Sequence, residues 1–96
     1  MYILYQLKSI MASHQIPILY ERKNHHLGSI YCIDWSRSGK LIATGSNDKL
    51  VKVMQVPDLS EFNESQEGEE LRLIGHKGIV RSVSFTHDET KLLSAG

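Results

Sequence analysis

Cysteine is almost missing from this chain: Cys32 is the single thiol in 96 residues, so no disulfide can close within it. It lies in an apolar run, which reads as a buried, inert thiol in a reducing, cytoplasmic setting. An excess of charge of either sign is also missing. Eleven Lys and Arg face eleven Asp and Glu, a balance that favours neither nucleic acid nor an anionic membrane as partner. Long apolar runs are lacking as well. The stretch 1–12 is fairly apolar, but Gln6 and Lys8 interrupt it and no basic segment precedes it. It is too short for a spanning helix and a poor secretory signal, so a soluble protein is expected. No glycine-rich phosphate loop is present. Among the five histidines there is no His-x3-His spacing and no cysteine pair, so neither a metal nor a cofactor is expected. His25 and His26 are adjacent, and on a strand they would point to opposite faces.

What is there is strand-forming. Short runs rich in Ile, Leu, Val, Tyr and Trp alternate with clusters of Gly, Ser, Asn and Asp, and helical periodicity is hard to find. The pattern predicts strands near Ile16–Tyr20, Ile30–Trp35, Leu41–Gly45, Leu50–Val56, Leu71–Ile74, Val80–Phe85 and Lys91–Ala95. Ser36-Arg37-Ser38-Gly39-Lys40 and Ser46-Asn47-Asp48-Lys49 suit the turns of antiparallel hairpins. Leu41-Ile42-Ala43 is apolar without alternation, as in a strand covered on both faces. Trp35 reads as core, since aromatic side chains bury the most surface. The stretch 57–70 stands apart. It holds Asp58, Glu61, Glu64, Glu67, Glu69 and Glu70 and no basic residue, which predicts a solvated loop, with Ser60 and Ser65 as the sites a modification or a partner would use.

The strongest internal signal is a repeat. A shift of fifty residues lays His26 on His76, Gly28 on Gly78, Ile30 on Val80, Ile33 on Val83, Trp35 on Phe85, Ile42 on Leu92 and Thr44 on Ser94. Repeats of this length in an all-β chain favour a propeller, whose blades are four-stranded antiparallel sheets. The acidic stretch accounts for the excess over the usual blade period.

The run His26-Leu27-Gly28-Ser29-Ile30 through Trp35, continuing from Gly39-Lys40-Leu41-Ile42-Ala43-Thr44-Gly45-Ser46-Asn47-Asp48, resembles a WD repeat. Leu73-Ile74-Gly75-His76 followed by 80–95 resembles the start of the next. The likeness covers 16–96. Over 16–53 it narrows to a microtubule-associated member of that family. The resemblance implies an all-β WD-repeat β-propeller fragment, with one complete four-stranded antiparallel blade plus part of the next. Its divisions would be an unassigned segment 1–15, a first repeat 16–74 and an incomplete second repeat 75–96. Propellers close with four to eight blades, so the remaining blades are expected from a longer parent chain.

The family uses a histidine before the first strand, a Ser or Thr on the second and an Asp in the following turn as a structural hydrogen-bond network. The resemblance assigns those places to His26, Thr44 and Asp48, and in the second repeat to His76 and Ser94. Bottom-up physics agrees, because buried polar groups need partners and a bonded chain fixes strand register. The same three residues would tempt a search for a hydrolase. Yet no nucleophile elbow or oxyanion hole surrounds Thr44, and a mid-strand threonine is a poorly presented nucleophile. The sequence departs from the family in two places. Met54-Gln55 stand where Trp-Asp is usual, and a methionine cannot donate, which implies an incomplete first network. Glu89 stands where Gly39 stands in the first repeat, which implies a different second turn.

These readings make the chain a non-enzymatic scaffold for protein partners, with Tyr31, Asn47 and Arg81 as candidate contacts. The narrower likeness adds microtubule-associated partners and a cytoskeletal location. A substrate-recognition or RNA-binding propeller face is the alternative, and a hydrolase the remotest.

Overall fold

The computed structural model describes residues 2–5, 18–56 and 70–96, and among these every regular element is a strand. They are β1 (Tyr2–Tyr5), β2 (Ile18–Arg22), β3 (Ile30–Trp35), β4 (Leu41–Ser46), β5 (Leu50–Gln55), β6 (Glu70–Ile74), β7 (Ser82–Phe85) and β8 (Leu92–Ala95). β3 to β6 form one four-stranded sheet in chain order, antiparallel throughout. That is the complete blade the pattern predicts. β7 and β8 pair as the first half of the next. β1, which the composition did not signal, pairs antiparallel with β2. Residues 16 and 17 of the expected first strand, Ser60, Ser65 and the rest of 57–69 lie outside the described residues. Glu70, expected in the solvated loop, instead opens β6 opposite Met54.

β4 is central and carries the core on both faces. Ile42, Ala43, Thr44, Gly45 and Ser46 are all buried, as the unalternating apolar run requires. On one face Ile42 meets Met54, with Val56 against them. On the other, Ala43 and Val51 pack with Val80 and Val83, backed by Cys32, Val53, Phe85 and Leu92. The second face is therefore where the next repeat docks on the first. Gly45 is required there: a Cβ at this position would lie 2.6 Å from both Cys32 Sγ and Val80 Cγ1, far inside van der Waals contact. Cys32 is half-buried rather than fully enclosed, and burial pushes its thiol pKa up, which leaves it unreactive.

The fifty-residue shift explains a correction. Val83 and Phe85 are pressed onto the first sheet, and Val83 keeps only 7% of its surface exposed. Their counterparts Ile33 and Trp35 lie on the other face of the first sheet, beside Thr44 and Ile42, where the described residues leave Ile33 54% and Trp35 45% exposed. Trp35 is thus not a core residue here. Aromatic bulk predicts burial only where another sheet arrives to supply it.

The two hairpin turns match one another, contrary to the expectation drawn from Glu89. In each, the fourth residue donates back to the first at 2.9 Å (Gly39 N to Ser36 O, Glu89 N to Thr86 O). Gly39 and Glu89 are both left-handed, with φ of 78° and 62°. For a non-glycine residue that conformation costs roughly 1–2 kcal/mol, and part of the return is a bond between the turns: Glu89 Oε1 accepts from Ser38 N at 2.7 Å.

Candidate functional site

The segment between β2 and β3 crosses one face of the blade as a turn and bends, not as a strand. That overturns the expectation that adjacent histidines face opposite ways. His25 and His26 are both buried, and their rings meet edge to face with centroids 4.9 Å apart. Both reach the same hydroxyl. His26 Nε2 lies 2.7 Å from Thr44 Oγ1 and His25 Nε2 lies 2.9 Å from it. His26 Nδ1 is 2.8 Å from Asp48 Oδ2. Asp48 also accepts the backbone N–H of Leu27 at 3.1 Å and of Leu50 at 2.9 Å, so it ties the crossing segment, the β4–β5 turn and β5 together.

Donor counting fixes the direction of these bonds. An ionised carboxylate only accepts, so His26 donates from Nδ1 to Asp48. Its Nε2 is then the acceptor of a neutral ring and takes the Thr44 proton. Thr44 has one proton to give, so His25 must donate from Nε2 to Thr44 Oγ1. The chain runs from His25 through Thr44 and His26 to Asp48 with one proton in each bond.

The charge state agrees. Burial, reinforced by His26, Arg22 and Lys52, lowers the His25 pKa to about 4. Burial also lowers that of His26, outweighing the opposing pull of Asp48. Both rings are neutral at neutral pH, so the His26–Asp48 contact is a hydrogen bond to a carboxylate rather than a pair of opposite charges. Burial pushes the Asp48 carboxyl upward, but the Leu50 amide and His26 more than offset it and hold it below its ordinary value.

Methionine at position 54 was expected to leave this network short of a donor. The structure corrects that, because His25 supplies the N–H that Thr44 accepts. Met54 is instead fully buried in the core, where its sulfur lies 3.6 Å from Arg22 Nη1. Beside it a second polar cluster joins β2, β5 and β6. Arg22 Nη2 pairs with Glu70 Oε2 at 2.6 Å and Lys52 Nζ with Glu70 Oε1 at 2.9 Å, while Lys52 also donates to the His25 carbonyl. Burial opposes ionisation of Glu70, but Lys52 and Arg22 outweigh it and lower its pKa. Sequence reasoning missed His25, Lys52 and Glu70. The one legible signal was the paired His25-His26 itself.

In the second repeat His76 Nε2 and Ser94 Oγ are 2.7 Å apart. The three candidate contacts are elsewhere. Tyr31, Asn47 and Arg81 are exposed and gathered at the end of the sheet where β3 begins and β4 turns into β5. Among the described residues no cluster of three or more His, Cys, Asp or Glu side chains is placed to hold a metal ion.

The family model of the WD domain, G-beta repeat, matches residues 18–54 and 68–96. The chain belongs to the WD-repeat family. Its similarity extends to Protein HIR1 of Gibberella zeae, 33% identical over 82 residues, which covers 76% of this chain and 8% of that protein. Protein HIR1 of Cryptococcus neoformans is 30% identical over 88 residues, covering 83% of this chain and 10% of that protein. Protein HIR1 of Chaetomium globosum is 25% identical over 84 residues. The chain therefore spans a tenth or less of the length of these relatives.

Proposed function

We propose that this WD-repeat chain is a non-catalytic module that holds protein partners, presenting them with the turns at the end of a rigid sheet. The observation that carries the reading is the position of Thr44. It is 0% exposed, closed off from any substrate, and its hydroxyl is held from two sides by His25 and His26. A nucleophile must be reachable by substrate, whereas a buried brace across strands holds rigid the loops that do the binding. Tyr31, Asn47 and Arg81 are the proposed contacts. The narrower likeness was to nemitin, and the microtubule-associated partners it implied draw no support from the HIR1 relatives. Fold alone does not name a partner.

The test is paired. Wild-type protein should hydrolyse model esters no faster than buffer, and Thr44→Ala should lower Tm. Turnover that disappears in Thr44→Ala at unchanged Tm would overturn the reading. A photo-cross-linking side chain placed at Tyr31 or Arg81 should couple to a protein partner, with the same group at Arg72, mid-strand on β6, as control.

A further inference from the structure

The charges balance over the whole chain but not at the two ends of the blade. At one end three segments meet. Asn47 N donates to Ser29 O, Leu27 N to Asp48 and Val80 N to Ser46 O, which brings 27–31, 47–50 and 75–81 together. These segments carry Lys49, Lys77 and Arg81, all exposed, and a single acid, Asp48. Asp48 is spent on His26, Leu27 N and Leu50 N. None of the ion pairs among the described residues involves the three cations. Among them stand apolar side chains that contribute nothing to the core: Leu27 is 95% exposed, Ile74, where β6 ends, 84%, and Tyr31 52%. The opposite end is different. There Arg37 bonds His87, Glu89 accepts from Ser38, and Asp88 accepts from Thr86 and Thr90, so the cations Arg37, Lys40 and Lys91 share that end with two acids, Asp88 and Glu89, and Lys40 helps to lower the Glu89 pKa.

We infer that the end formed by Leu27, Tyr31, Lys49, Ile74, Lys77 and Arg81 is a docking surface for an acidic peptide segment that carries apolar side chains. The inference rests on the protein-interaction reading and deepens it by naming the partner's chemistry. Cations with no ion-pair partner among the described residues attract carboxylates and speed their encounter, while exposed Leu27 and Ile74 gain by being covered. A nucleic-acid strand fits less well. Three cations neutralise few phosphates, and a single tyrosine is a poor platform for stacked bases.

The test is fluorescence polarisation on the full chain with a labelled peptide of glutamates surrounding two leucines. Comparison probes are the same peptide with glutamine for glutamate and a labelled single-stranded oligonucleotide. The glutamate peptide should bind best, and more weakly as salt rises. Lys77→Glu with Arg81→Glu should weaken it about tenfold, because each reversal exchanges an attraction for a repulsion. Leu27→Ser should weaken it as well, and Arg37→Glu at the opposite end should not. Lys49→Glu serves as an independent charge variant, and each variant is checked for wild-type Tm. Equal binding of the glutamine peptide, tighter binding of the oligonucleotide, absence of peptide binding, or insensitivity to the charge reversals overturns the proposal. If a partner cross-links to a group at Arg37 or Lys40 and to none at Lys49, this surface is wrong while the interaction reading stands. Ester turnover abolished by Thr44→Ala sinks both.

Discussion

His25 donates from Nε2 to Thr44 Oγ1 across 2.9 Å, occupying the hydroxyl lone pair that the substitution of methionine at position 54 left without a donor. The contact joins the segment that enters the blade to its central strand. Together with His26 and Asp48 it makes a four-member chain with one proton in each bond, and buried networks of this kind are costly to break at any link.

Thr44→Ala removes the common partner of two buried imidazoles. The expected loss is roughly 2–3 kcal/mol of stability, since each ring is left with an unmatched polar atom. Thr44→Ser keeps the hydroxyl and should recover most of it. Chemical denaturation of the three proteins checks this, and equal stability of the alanine and serine variants would show that the methyl group rather than the hydroxyl matters.

Acid should loosen the blade before carboxylates protonate. The His25 pKa falls from 6.5 to about 4 on folding and that of His26 falls too, so the unfolded chain binds more protons between these values. Stability is then complete above pH 6.5 and declines as pH falls toward 4. By pH 5 His25 alone should cost roughly 2 kcal/mol. Asp48 and Glu70, whose pKa values are lowered on folding, contribute stability that is present above their unfolded values and lost at still lower pH. Tm measured from pH 7.5 to 5 should fall for wild type and fall less for His25→Gln.

Gly45→Ala places a methyl group 2.6 Å from Cys32 Sγ and Val80 Cγ1. Neither the facing strand nor the segment before β7 can withdraw freely, so a loss of about 1–3 kcal/mol is expected. Gly45→Ala with Val80→Ala should regain part of it, and the coupling read from a double-mutant cycle locates the clash between the two repeats.

Lys52→Met removes a buried ammonium from Glu70 and a donor from the His25 carbonyl. Glu70 keeps Arg22, so the expected cost is roughly 2–4 kcal/mol, toward the lower end for breaking a buried pair. Adding Glu70→Gln should restore some of that loss. A Lys52→Met protein as stable as wild type would mean that the cluster contributes nothing to the fold.

Much of the blade was legible from residue order. β3 alternates half-buried and exposed positions, β4 opens on the unalternating apolar run Leu41-Ile42-Ala43, and Ser46-Asn47-Asp48-Lys49 between them and β5 has turn chemistry. These are local properties, and strand position follows from them. His26, Thr44 and Asp48 were legible for the same reason, because their spacing over two strands and one turn reproduces a known repeat. His25 was not, since two adjacent residues face opposite ways only on a strand and the chain there bends. Glu70 read as the last of a run of acids, and nothing local singled out Lys52. What buries them is their meeting with each other and with Arg22, 48 and 30 positions away from it in the chain.

The amino-acid order by itself determined that this chain makes short antiparallel strands, where they turn and that they repeat, because strand alternation, turn residues and β-branched runs act over a few neighbours. Only the tertiary structure decided which polar groups became interior and which apolar ones stayed outside. Ile33 and Val83 hold equivalent places in the repeat, yet one is exposed and the other covered. Burial depends on whether another sheet lies across a face, and no local pattern of residues carries that information.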